Sequence, residues 1–297
     1  YTHEDLARNM WVNPEEVPDA NKDGAIDIRD IDTNGDGIIS PEEFGAVYDG
    51  KDSGLNGKNP NGYLDDIFGY SFAYDRPDPM DTYGHGTHSA GTIAAVMDNL
   101  KGITGVAPKA KIMALQGLGD DGSGSTATLC EALKYAYDNK ADVISCSWGS
   151  PGKNPALDDV FKAAYRAGAT AVAAAGNANV NVTNVAPANI DSVIAVAASS
   201  QDDKKCSFSN WGLSIDVSAP GGGYADEPRT GIYNILSTMP DGSTLADPLL
   251  KIAPGYYRLA GTSMACPHVA GLAALIKSMY LNDPVQGSPD AIRGRIL

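Results

Sequence analysis

The sequence predicts an α/β protein: a doubly wound, mostly parallel sheet with helices on both faces. Three observations carry this reading. Apolar runs of strand length recur at 111–116, 142–148, 170–175, 192–198 and 214–218. Helical patterns lie between several of them, at 126–140 and 155–167, and a long one follows at 264–281. The runs are continuous, as in strands buried on both faces, where a half-exposed strand would alternate. Right-handed crossovers then distribute the helices over both sides, and the working residues of such a sheet collect at the carboxyl ends of its strands.

The first eighty or so residues have a different texture: polar, rich in Gly, Asn and Asp, and poor in strand patterns. They read as an elaborated loop region packed on the same domain. With 297 residues, 43% of them hydrophobic, the chain can bury one large core, so a single domain over 1–297 is expected, with a loop insertion at 19–66.

That insertion has a metal-site spacing. Twelve residues from Asp32 to Glu43 place oxygen ligands at positions one, three and five (Asp32, Asn34, Asp36), a backbone carbonyl at seven (Ile38) and Glu43 at twelve. Gly37 supplies the sharp turn at position six. This is the EF-hand calcium pattern, and it suits a hard, oxygen-preferring cation. Ser40 and Pro41 then read as the cap and first residue of the exiting helix. Just upstream, Asp19, Asn21, Asp23, Ala25, Asp27 and Asp30 repeat the pattern, with a shorter Asp at position twelve. Only Ile31 separates the two loops, which leaves no room for the helix of a paired EF-hand. Structural Ca2+ at two or more sites is expected, and a sensor role is not. A third stretch, 59–66, resembles a loop lacking its first acid.

The formal net charge is −15. An acidic surface repels phosphate, so neither nucleic acid nor an anionic membrane is an expected partner. No run approaches the roughly 18 apolar residues of a membrane span, and no basic, apolar leader stands at Tyr1. Cys130, Cys146, Cys206 and Cys266 lie far apart without a CxxC pair, so no zinc site is signalled. Cys146 and Cys266 read as buried thiols; one bridge stays open as an alternative.

Three strips carry candidate chemistry. HGTHSAGT at 85–92 puts two histidines on the first turns of a small-residue helix; AVAAAGN at 171–177 is an apolar strand ending in Gly-Asn; GTSMACPHVAG at 261–271 opens the long buried helix. Singly, each has a bland reading as a local hydrogen bond, a turn and an N-cap. The third has an oddity. Pro267 lacks the N–H that would bond the Ser263 carbonyl, so the helix is opened beside a serine that already faces free N–H groups and a positive dipole.

HGTHSAGT, AAAGN and GTSMACPHVAG, in this order, resemble the three signature blocks of the subtilisin family of serine peptidases. VAP at 106–108, LGDDGSG at 118–124 and SWG at 147–149 fall where that family has its connecting strand and substrate-binding segments. The resemblance implies that Ser263 is the nucleophile, His85 the general base and acid, and Asn177 an oxyanion donor. It also implies that Gly122, Ser123, Gly124, Ser147, Trp148 and Gly149 line an extended peptide substrate, with Gly176 on the pocket wall. Asp5, with Asn99 in the turn that follows, matches a family calcium ligand. His88 and His268 match no catalytic position and are read as structural. GLGDDG at 117–122 matches a dinucleotide loop in form, but Asp120 and Asp121 would repel pyrophosphate; Ser263 is not in G-x-S-x-G.

One family feature is missing. The third triad residue, an Asp in a D-[ST]-G strip, is expected upstream of Tyr1, together with the first strand, so the catalytic domain reads as incomplete. Asp52-Ser53-Gly54 has the letters but follows the calcium loops without a preceding apolar strand. Further expectations are protein or peptide substrates, a propeptide in the precursor, a secreted monomer, and, as the alternative, an inactive fragment serving as a calcium-binding module.

Overall fold

The computed structural model describes residues 1–48, 50–52, 61–223, 231–245 and 247–297. In chain order the helices are α1 (Pro41–Val47), α2 (His85–Ala94), α3 (Thr126–Asp138), α4 (Pro155–Arg166), α5 (Thr262–Met279) and α6 (Pro289–Ile296). The strands are β1 (Gly69–Ser71), β2 (Ala114–Gln116), β3 (Val143–Cys146), β4 (Ser150–Pro151), β5 (Thr170–Ala174), β6 (Val185–Ala186), β7 (Val193–Ser199), β8 (Val217–Pro220), β9 (Ile235–Thr238), β10 (Lys251–Ala253) and β11 (Tyr256–Leu259).

The α/β architecture follows from which way alternate side chains point. β3, β5, β7 and β8 form a parallel sheet in that order. On one face Ile144, Cys146, Ala171, Ala173 and Val193 meet Leu133 and Ala136 of α3 and Leu157, Phe161 and Ala164 of α4. On the other, Val172, Ala174, Ile194, Val196 and Ala198 meet Ala265, Cys266, Val269 and Ala270 of α5. Side chains two apart share a face, so a strand covered on both sides must be apolar throughout. β5, TAVAA, is buried at every position. Small residues dominate because α5 lies close over the strands. The four cysteines are free thiols, with Cys146, Cys206 and Cys266 buried, so the bridge left open by the sequence does not form. No helix of the described residues is long and apolar enough to cross a membrane.

β1 and β2 form a separate parallel pair. Leu115 of β2 packs on the α3/α4-side core, yet among the described residues no ladder joins β2 to β3. Both facing strands are incompletely covered: all three β2 residues are half-buried, and β3 alternates half-buried with buried. β1 lies inside the region read from sequence as loop; its three residues carry no period a strand reading could use.

The helix start predicted at Ser40 and Pro41 is present. Ser40 caps α1, with a reciprocal bond to the Glu43 carboxylate and Pro41 in the first turn. The first loop ends in a single 3-10 turn, Ile28–Asp30, and only Ile31 stands between it and the second loop. Ile28, Ile31 and Ile39 pack on Met10, Val12, Ile67 and Phe68, which ties the insertion to the body of the protein.

Candidate active site

Ser263 sits in the first turn of α5. Pro267 leaves the Ser263 carbonyl without its helical donor, and the Ser147 hydroxyl takes that place at 2.9 Å. In return the Ser263 hydroxyl donates to the Ser147 carbonyl at 3.1 Å. Ser147 directly follows β3, so the nucleophile candidate is tied to the carboxyl end of a parallel strand.

His85 is the first residue of α2, which packs along α5. Gly84 before it has φ +101, and a Cβ there would meet Met239 Sδ at 2.2 Å, so glycine is required. Asp81 caps the helix, accepting from Gly84 N–H at 2.7 Å and Thr87 N–H at 2.8 Å. Burial pushes the His85 imidazole below its ordinary value, and the nearby Asp81 charge opposes this. Among the described residues no carboxylate hydrogen-bonds to the His85 ring.

Asn177 lies just past β5. Its Oδ1 accepts from Thr262 N–H at 2.8 Å and from Thr262 Oγ1 at 2.9 Å. This fixes the amide orientation and leaves Nδ2 as a donor beside the α5 N-terminus, where Ser263 N–H is one of the orphan donors of a helix start. Asn210 holds the loop in shape: Nδ2 donates to the Ala175 carbonyl at 2.7 Å, and Oδ1 accepts from Ala178 and Val180 N–H groups at 3.1 and 3.0 Å. Gly176 has φ +100, and a Cβ there would strike Asn210 Nδ2 at 2.5 Å. Asp81 and Asn210 were not singled out from the sequence. Asp81 had a weak local signal, a cap four residues before His85; Asn210 had none.

The segments expected to line a substrate follow the carboxyl ends of β2 and β3. Gly122 turns with φ +75 against the Tyr83 ring, two residues before His85. Ser123 and Gly124 line an open cleft with Ala73, Tyr74 and Asp120. Trp148 packs on Phe161 of α4, ring centroids 6.3 Å apart, so its side chain belongs to the wall and core. Gly149 lies beside the Ala186 carbonyl. His88 is fully buried, with Nε2 on the Ile235 carbonyl at 3.1 Å, and His268 Nδ1 bonds the Met264 carbonyl at 2.8 Å. Both serve the frame.

The two calcium-type loops share one hydrogen-bond pattern. The first acid, Asp19 or Asp32, accepts from the Gly24 or Gly37 N–H at 3.0 or 2.8 Å. The twelfth, Asp30 or Glu43, accepts from the N–H groups of Ala20 and Asn21 or of Thr33 and Asn34. Asn21, Asp23, Asn34 and Asp36 make the same short bonds two residues on. These bonds hold Glu43 at about 2, the Ser40 N–H being the largest cause. The side chains supply oxygen donors only, the right chemistry for a hard cation. Among the described residues no three His, Cys, Asp or Glu side chains already converge as a metal cluster. Asp5 is buried, with Oδ1 accepting from Asn99 Nδ2 at 2.6 Å and Oδ2 from Ile103 N–H at 3.0 Å. In the third stretch Asn59 and Pro60, like Ser53 and Gly54, lie outside the described residues. Asp52, outside that stretch, accepts from the Asn61 and Gly62 N–H groups at 3.1 and 2.6 Å.

Fold and site thus define an α/β protein in which Ser263 stands in the first turn of α5, Asn177 is bonded to that helix start, and α2, which His85 opens, packs along the same helix. The family model of the peptidase S8 subtilases matches residues 1–297, and the chain belongs to the subtilase family. It is 39% identical over 258 residues to thermitase from Thermoactinomyces vulgaris, covering 85% of this chain and 84% of that one. It is 39% identical over 232 residues to a thermophilic serine proteinase from Bacillus sp. strain AK1, covering 78% of this chain and 52% of the relative, so it spans about half that protein's length. Among solved structures, proteases from Pseudoalteromonas arctica PAMC 21717 superpose with TM-score 0.63 at 37% identity, covering 71% of this chain and 62% of that one. A cold-adapted subtilisin-like serine proteinase superposes with TM-score 0.62 at 33% identity, covering 76% of this chain and 71% of that one.

Proposed function

We propose that the protein is a serine endopeptidase that hydrolyses peptide bonds through an acyl-enzyme. Ser263 Oγ attacks the scissile carbonyl while His85 takes its proton. As the tetrahedral oxyanion forms, Asn177 Nδ2 and Ser263 N–H donate to it. His85 then returns the proton to the leaving amine, and water, activated by the same imidazole, releases the acid product and restores Ser263. The single observation carrying this reading is the Asn177–Thr262 clamp, which occupies Oδ1 and leaves a fixed donor beside Ser263 N–H. The backbones of Gly122–Gly124 and Ser147–Gly149 pair with an extended substrate, which gives broad sequence tolerance.

The orienting Asp is assigned to a strand upstream of Tyr1, lying between β2 and β3. Three features support it: the missing ladder there, the half-covered residues of both strands, and the absence of a carboxylate on the His85 ring among the described residues. In subtilisin itself, loss of that Asp costs about four orders of magnitude in rate. Comparing the 297-residue chain with an N-terminally extended one on a chromogenic peptide tests the assignment: the extended chain is faster by orders of magnitude, and equal rates contradict it.

Ca2+ is assigned to the loops, held by Asp19, Asn21, Asp23, Ala25, Asp27 and Asp30, by Asp32, Asn34, Asp36, Ile38 and Glu43, and at Asp5 with Asn99. Bound there, it would neutralise the crowded carboxylates and tie the insertion down. Such loops suit the millimolar calcium outside cells, consistent with a secreted monomer made with a propeptide.

A further inference from the structure

We propose that the Ser147 side chain, not only its backbone, is a positioning residue of the peptidase reaction, registering the helix of the base against the helix of the nucleophile. The inference rests on the proposed roles of His85 and Ser263. Pro267 leaves the Ser263 carbonyl short of a donor, and the Ser147 hydroxyl is the group that supplies it, at 2.9 Å. Having spent its one proton there, Ser147 Oγ can only accept from other neighbours. Ser89, one turn along α2 from His85, stands 3.4 Å away with its hydroxyl also within 3.1 Å of the His85 carbonyl. The one Ser89 proton is shared, as a three-centre bond, between the His85 carbonyl and Ser147 Oγ, and the Ser147 proton goes on to the Ser263 carbonyl, so a line of contacts runs from His85 to Ser263. It crosses three elements whose mutual placement the reaction needs: α2, the carboxyl end of β3 and α5.

The second bond of the pair adds a consequence. Ser263 Oγ donates to the Ser147 carbonyl at 3.1 Å, and that carbonyl belongs to the backbone assigned to pair with substrate. A substrate N–H arriving at this carbonyl competes with the Ser263 hydroxyl and frees its proton for His85. No atom is added or lost: one hydrogen bond is exchanged for another. Ser147 thus holds the nucleophile at rest through its carbonyl and holds the helix start through its hydroxyl throughout.

The test uses the full-length enzyme, with sites counted by phosphonate titration and mapped to Ser263 by mass spectrometry. Ser147→Ala is expected to lower kcat per titrated site about tenfold with KM within twofold, since displacing the reacting groups acts on the chemical step. Ser147→Thr, which keeps the hydroxyl, recovers most of it. Ser89→Ala lowers kcat severalfold, and Ser89→Ala with Ser147→Ala is no slower than Ser147→Ala alone, because both cut one line. A melting curve accompanies each variant. A lower melting temperature with kcat per titrated site unchanged, or fully additive losses, overturns the proposal. A wild-type enzyme that does not titrate at Ser263 instead overturns the underlying peptidase assignment.

Discussion

Ser147 and Ser263 grip each other twice, hydroxyl to carbonyl in both directions, at 2.9 and 3.1 Å. The first of these bonds exists because Pro267 has no N–H to give. Pro267→Ala restores a helical donor that competes with Ser147 for the Ser263 carbonyl. The regained bond, about 1 kcal/mol, offsets the burial lost with the ring, about 1–2 kcal/mol, so stability changes little. Steady-state kinetics should show kcat reduced about tenfold, and an unchanged kcat contradicts the role given to the open first turn.

Asn177 has two separable jobs. Its Oδ1 satisfies Thr262, and its Nδ2 is assigned to the oxyanion. Asn177→Ala loses both, so kcat drops about 100- to 1000-fold, as for the equivalent donor in subtilisin, and stability falls by about 1–3 kcal/mol. Asn177→Asp keeps an acceptor for Thr262 while removing the donor, so kcat collapses with less loss of stability. Denaturant melts beside rate measurements check the split; equal stability losses for both variants remove the clamp from the account.

His88 predicts a pH dependence of stability. It is fully buried, Nδ1 has no partner among the described residues, and burial pushes its imidazole down to about 4. Between pH 6.5 and about 4 the unfolded chain binds a proton here that the folded one does not. Stability therefore falls as pH is lowered through this window, by about 3 kcal/mol once pH is below both values. His85 and His268 are also lowered, chiefly by burial, and act in the same direction. Urea melts from pH 4 to 7 should show a shallower slope in His88→Gln than in the wild type; identical slopes contradict the assignment.

Chelation is the measurement for the calcium loops. A site half-saturated at one-hundredth of the free calcium contributes about 2.7 kcal/mol, so for a chain of this length EDTA should lower the melting temperature by about 4 °C per site lost. Glu43→Ala should remove the part owed to the second loop. A melting curve indifferent to EDTA leaves the loops as hydrogen-bonded turns without a metal.

How much of this was legible in the sequence depends on whether the cause was local. The strands β5 and β7 announced themselves because burial on both faces forces continuous apolar runs. The loop from Asp32 to Glu43 and its exiting helix were legible because capping and turn chemistry act within a few residues. The opened start of α5 was legible from Pro267 alone. What filled it was not: Ser147 lies 116 residues away and no local pattern points to it. Asn210 is equally silent, being a side chain that clamps the Asn177 loop from another segment. The strand β1, and the antiparallel set of β9, β10 and β11, are three or four residues long, too short to show a period.

The most direct test of the central claim is labelling with a fluorophosphonate, followed by peptide mapping. A single adduct on Ser263 is the predicted result, absent in Ser263→Ala and formed at least 100-fold more slowly in His85→Ala, since both reaction and proton transfer run through these two groups. No adduct, or an adduct on another serine with Ser263 untouched, contradicts it.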